Sequence, residues 1–151
     1  MRRAVLLKSV QRVMGPHVQV LDAAYIWNRH HWVTPFSLIV LAGIIFLAPV
    51  AGIDSWPTRI VLGLAGVGVA VMATTTYHVL ALTDRGMVLL DASRIRQIAT
   101  AHDRDLDPTV SLELLSGTVI NSDWKVGDRT YTVPLSSQKA MERMAMARFS
   151  D

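Results

Sequence analysis

The chain has 151 residues, 51% of them hydrophobic, with no cysteine and a formal net charge of +3. Without cysteine, disulfides, thiolate catalysis, cysteine-ligated zinc or iron–sulfur clusters and cysteine-linked lipid anchors are excluded. The basic surplus lies wholly in residues 1–31, where Arg2, Arg3, Lys8, Arg12 and Arg29 face only Asp22, while residues 83–151 carry nine basic and ten acidic side chains; this argues against a nucleic-acid-binding head.

From the N-terminus, AVLLKSVQRVM at 4–14 places Val5, Leu6, Val10, Val13 and Met14 near one side of a helix, with Lys8, Ser9, Gln11 and Arg12 on the other. Gly15-Pro16 stops it. Such a helix either lies on anionic headgroups or packs on the protein's own head or a partner. The run Met1–Gly15 is interrupted by Lys8, Gln11 and Arg12, so no cleavable signal peptide is expected. Residues 17–31 are ambiguous between a short strand through Val18 and Val20 and a further helix through Ala23, Ala24 and Ile26.

Two segments then dominate. Trp32 to Ile53 and Ile60 to Leu82 hold no Asp, Glu, Lys or Arg, apart from a short connection between them. About 20 helical residues cover roughly 30 Å, the hydrocarbon thickness of a bilayer. Neither segment has the polar face that a water-exposed helix needs, so a transmembrane hairpin is expected, with spans at about 32–53 and 58–76. Trp27, Arg29, His30, His31 and Trp32 form an interfacial cluster before the first span, and Trp56 and Tyr77 mark the other membrane-interface positions. His30 and His31 are adjacent and diverge on a helix, with no third ligand nearby, so no metal is expected there. Gly63, Gly66, Ala70 and Ala73 follow a 3, 4, 3 spacing. That small-residue stripe is expected to meet the first span at Gly43 and its neighbours, with self-association or a foreign helix as the alternative. The charge bias sets both ends inside: Arg12, Arg29, Arg85, Arg94 and Arg96 flank the spans, against Arg59 and Asp54 in the connection.

Residues 77–151 read as a small antiparallel β head. HVLALTDRGMVLLDA at 78–92 gives two strands around a three-residue loop, Asp84-Arg85-Gly86. Val110, Leu112 and Leu114 alternate with polar residues as in a half-buried strand, and Gly127-Asp128 joins WKV to RTYTV as a hairpin. Ser136 or Ser137 is expected to cap a closing helix at about 137–149, with Ala140, Met141, Met144 and Ala145, then Ala147 or Arg148, along one side. Its Met-rich face reads as core.

A span running directly into YHVLALTDRGMVLL, followed by strands and one C-terminal helix, resembles the bacterial pleckstrin-homology-like (PH-like) domains of small membrane proteins. Thr83, Asp84 and Arg85 stand where their first hairpin commonly reads Thr-Asp-Arg, and MGPHVQVLDAA is similar to their lead-in. The resemblance implies a docking or assembly module with no catalytic residues to transfer; together with the charge bias, a protein of the bacterial inner membrane, N-in and C-in, is expected. About 75 residues is small for a full seven-stranded fold, so one strand is expected to be missing or very short.

Sequence motifs for chemistry are lacking. Asp103, Asp105 and Asp107 begin like a calcium loop, but Pro108 and Leu114 stand where Gly and Glu are needed. His78 and His102 are isolated in sequence, and neither span holds a central ionisable residue for a transport path. Arg94 and Arg96, two apart on a strand, would share a face and, with Lys125, Arg129 and Tyr131, contact headgroups or a partner; the plainer reading of these basic residues is ordinary flanking charge. The expectation is a membrane α+β protein, non-enzymatic, without cofactor, metal or small-molecule substrate. Its partners would be the lipid bilayer and another membrane protein or a second copy. The alternatives are an accessory subunit of a respiratory or transport complex, packed through the Gly/Ala stripe, and a phage-type or host defence membrane protein.

Overall fold

The computed structural model describes residues 3–29, 32–107 and 109–148; His30, His31 and Pro108, and the side chain of Arg148, lie outside the described set. The chain divides into two compact units, Arg29–Thr76 and a second that joins Met1–Asn28 to Tyr77–Asp151. The expected division into a separate N-terminal segment and a head starting at 77 therefore gives way to one discontinuous head, with the apolar hairpin as an insertion.

In the first unit, helix α2 (Val33–Leu47) continues through a 3-10 turn, Ala48–Ala51, and helix α3 covers Trp56–Thr74. Gly52 closes the first helix at φ +78°, the left-handed conformation that glycine adopts without steric cost, and its N–H donates to the Pro49 carbonyl. Val33–Ala51 and Trp56–Thr74, 19 residues each, are long and apolar enough to cross a membrane. At 1.5 Å per residue each spans roughly 28 Å. The second segment ends at Thr74 because the chain turns there into a strand, so Thr75–Leu82 belongs to the sheet and not to a span.

The second unit is a mixed α+β domain. Among the described residues, helix α1 (Arg3–Met14) and strand β1 (Val20–Arg29) precede the hairpin. After it come β2 (Thr75–Thr83), β3 (Gly86–Ala92), β4 (Ala99–Asp105), β5 (Leu112–Gly117), β6 (Asn121–Val126), β7 (Arg129–Pro134) and helix α4 (Leu135–Arg148). The seven strands form one sheet in the order β4-β3-β2-β1-β7-β6-β5. The pairs β2–β3, β3–β4, β5–β6, β6–β7 and β1–β7 are antiparallel. The strand expected to be missing is β1, contributed from before the hairpin. Its residues 22–26 are all buried, because Ala24 and Ile26 enter the core on one face of the sheet and Ala23 and Tyr25 the core on the other. A strand covered on both faces loses its alternation, which is why the sequence reads ambiguously there.

One core joins Leu80, Met87, Leu89, Trp124, Val126 and Val133 to Ala140, Met141 and Met144 of α4. The opposite core joins Val79, Ala81, Val88, Leu90 and Ala99 to Leu6 and Val10 of α1. The apolar side of α1 is thus spent on the protein's own sheet. Ser9, expected on the outward side, is buried there and Val5 is exposed. The Ser9 hydroxyl donates to the Leu6 carbonyl at 2.7 Å and accepts from the Ala99 N–H at 3.1 Å, which ties α1 to β4.

Local expectations shift in three places and hold in a fourth. Thr83 pairs with Gly86, so the first hairpin loop is the two residues Asp84-Arg85, with Gly86 at φ +128° just beyond it. The second hairpin holds as expected, with Val126 opposite Arg129 and Gly127 at φ +65°. Strand β5 is an open sheet edge with a bulge between Leu114 and Ser116, so Leu114 and Leu115 stay half exposed where a half-buried strand was expected. Helix α4 starts at Leu135, directly after Pro134. Ser137 therefore lies in its first turn, and its buried hydroxyl accepts from the Tyr25 N–H at 3.1 Å.

Candidate functional site

The hairpin is built by close helix packing. A Cβ placed on Gly63 would meet the Leu41 Cδ1 at 2.7 Å, and one on Gly66 would collide with the Ile44 Cδ1 and stand 3.3 Å from the Val40 Cγ1. Two glycines three residues apart thus form the notch into which the Val40/Ile44 and Leu41/Ile45 rows of α2 settle. Ala70 is buried and Ala73 is exposed, so the stripe ends before its expected last member. Gly43 is a correction: among the described residues nothing lies within 4 Å of its added Cβ, and the same holds for Gly68, so both face away from the α2–α3 contact.

Two hydroxyls on these helices are satisfied within their own helix. The Ser37 hydroxyl donates to the Val33 carbonyl and the Thr74 hydroxyl to the Ala70 carbonyl, each at 2.7 Å, the i−4 bond that lets a hydroxyl sit in an apolar medium. The apolar side chains are turned outward. Phe46 is 78% exposed and Val50 87%, and Ile39, Leu47, Val61, Leu64 and Val69 are exposed as well. At the ends of the helices stand Trp32 and Trp56, both exposed, with Arg59 5.3 Å above the Trp56 ring. Arg59 also donates to the Ile53 carbonyl at 2.7 Å and pairs with Asp54 at 3.5 Å, which neutralises the charge in the connection. Arg29 is exposed. Trp27 and Tyr77 pack against the α1-side core of the sheet, where Tyr77 stacks on Tyr25 at 6.1 Å.

The expected contact residues of the head do not form one surface. Arg94 and Arg96 lie in the β3–β4 connection and not on a strand, with Arg94 6.0 Å above the Tyr77 ring. Lys125 and Arg129 are exposed near the β6–β7 turn. Tyr131 is corrected outright: at 1% exposure it is core, its ring edge-on to His78 at 6.0 Å and its hydroxyl 3.5 Å from the Arg104 Nη2, which donates to it. The alternation of strand β7 buries it beside Val133.

Sequence reasoning set aside His78 and Asp103 and did not single out Asp91, yet the sheet brings the three together. His78 on β2 stands directly opposite Asp91 on β3. Between β3 and β4 the register slips at Leu89/Leu90, whose partners are Arg104 and His102, so Asp103 is the extra residue of a bulge. The His78 Nδ1 is 3.5 Å from the Asp91 Oδ1 and 4.0 Å from the Asp103 Oδ2. Spacings of 13 and 12 residues in sequence match no local ligand motif; only the strand pairing shows the grouping.

No protein-family model, curated protein or solved structure matches the chain.

Proposed function

We propose that this chain is a non-enzymatic membrane protein whose two-helix hairpin, lying in lipid, holds a small PH-like β head at the cytoplasmic face as an adaptor or accessory module. The observation that carries this reading is the outward-facing apolar surface of α2 and α3. Side chains such as Phe46 and Val50 find no protein cover, and an apolar surface of that extent signals a nonaqueous or partner-covered environment. Topology supports a shared side for the termini. Strands β1 and β2 are neighbours in one sheet, yet the hairpin is inserted between them. Two crossings return the chain to the side it left, so a single sheet can form from both flanks. The net charge of residues 1–31 favours the cytoplasmic side. Seven strands closed by a C-terminal helix agree in number with the PH-like resemblance and support a docking role for the head.

A second reading, an integral subunit packed inside a larger complex, is favoured by the open Gly43 and Gly68, which leave room for a foreign helix at close range. The two readings separate on one experiment. The chain is cross-linked in its native membrane, purified in mild detergent, and its co-purifying protein is identified. That protein should persist with Gly43→Leu and be lost with the double change Lys125→Glu, Arg129→Glu. The reverse pattern overturns the adaptor reading in favour of the subunit.

A further inference from the structure

We propose that His78, Asp91 and Asp103 form a binding site for a divalent transition-metal cation of the zinc type, one that clasps strands β2, β3 and β4 at the β-bulge. One ligand atom from each residue lies within 4.8 Å of the other two. A tetrahedral ion with bonds of about 2.0–2.2 Å holds its ligands roughly 3.3–3.6 Å apart. The 3.5 and 4.0 Å separations from the His78 Nδ1 are close to that spacing, and small side-chain rotations close the remainder.

The imidazole supplies the observation that points to a ligand. Its Nδ1 is buried and makes no hydrogen bond among the described residues, although two carboxylates flank it at distances beyond good hydrogen-bond length. The side chain as a whole is 15% exposed, while Asp91 and Asp103 open to solvent at 55% and 38% and leave an entry path. One nitrogen and two carboxylate oxygens suit zinc-like cations better than calcium or magnesium, which take mainly oxygen. The bulge serves the site directly: without the extra residue, Asp103 would not fall between the partners of Leu89 and Leu90. Three protein ligands leave a coordination position for water or an anionic group. The site belongs wholly to the β head and does not depend on the solvent of the hairpin.

The test is calorimetric titration of zinc chloride into the full chain in detergent micelles, purified without a polyhistidine tag. The background variant carries His30→Ala and His31→Ala. One equivalent of zinc should bind saturably, with calcium and magnesium much weaker. Asp91→Asn and Asp103→Asn, isosteric changes at solvent-open positions, should each weaken it by about tenfold or more, at least the loss that follows removal of a supporting partner. Their circular dichroism and melting curves without zinc should match the background, which separates lost binding from lost folding. Cobalt in place of zinc should give a visible d–d spectrum that Asp103→Asn removes. Absence of saturable one-equivalent binding, or binding indifferent to both Asn variants, overturns the site.

Discussion

Tyr25 shows how much one buried side chain decides. Its ring lies 6.4 Å from Trp27 and 6.1 Å from Tyr77, and its hydroxyl is buried with no partner among the described residues. Burial, reinforced by Tyr77 and partly offset by Arg94, pushes its pKa up to about 12 from 10.0. The folded value lies above the unfolded one, so between pH 10 and 12 the unfolded chain loses its phenolic proton first. The stabilisation is therefore full below pH 10 and lost as pH rises from there, by about 2–3 kcal/mol at most. Tyr25→Phe removes an unsatisfied hydroxyl. It should leave neutral-pH stability unchanged or raise it by about 1 kcal/mol, and it should flatten the alkaline loss seen in melting curves. A drop of about 2 kcal/mol or more at neutral pH would reveal a bond to that hydroxyl. Asp22 is the complementary case, a buried carboxylate accepting from the Arg143 Nε at 2.7 Å and paired with Arg3 at 3.3 Å, so that α4 and α1 are both tied to β1. In sequence Arg3 is only one member of the basic surplus before the first span; the fold gives it an internal partner in Asp22.

At the scale of elements, what could be read from sequence follows from what surrounds each one. The closing helix is legible because its 3.6-residue apolar period meets a single core at Ala140, Met141 and Met144. The β2–β3 and β6–β7 hairpins are legible from their turn residues. Strand β1 is not, because both its faces are covered, and the fate of α1 is not, because an amphipathic pattern does not say whether sheet or lipid receives the apolar side. The Gly/Ala stripe is half legible: its spacing announces close packing, but which residues oppose it depends on helix rotation, so of the expected Gly43 and its neighbours only the neighbours Val40, Leu41 and Ile44 meet it. A paired prediction follows. Gly66→Ala should destabilise the hairpin by about 1–3 kcal/mol through overpacking against Ile44 and Val40, whereas Gly43→Ala, with open space around it, should be neutral or stabilising. Far-UV circular dichroism melts in micelles compare the two. Equal losses would mean that α2 and α3 do not pack in this register.

For the molecule as a whole, the discontinuity of the head is the feature that a linear reading missed. Counting only residues after the hairpin left too little chain for seven strands; adding Val20–Arg29 from before it completes the sheet. The His78 grouping escaped for the same reason, since it exists only once three strands are in register. By contrast, the two apolar helices were plain from uninterrupted composition, because lipid-length apolar segments need no tertiary context to be recognised. The account rests on lipid being the solvent for Val33–Thr74. The most direct test is alkaline carbonate washing of membranes from cells expressing the chain, followed by ultracentrifugation. The chain should remain in the membrane pellet and leave it only with detergent; recovery of folded monomer in the aqueous supernatant would contradict the account.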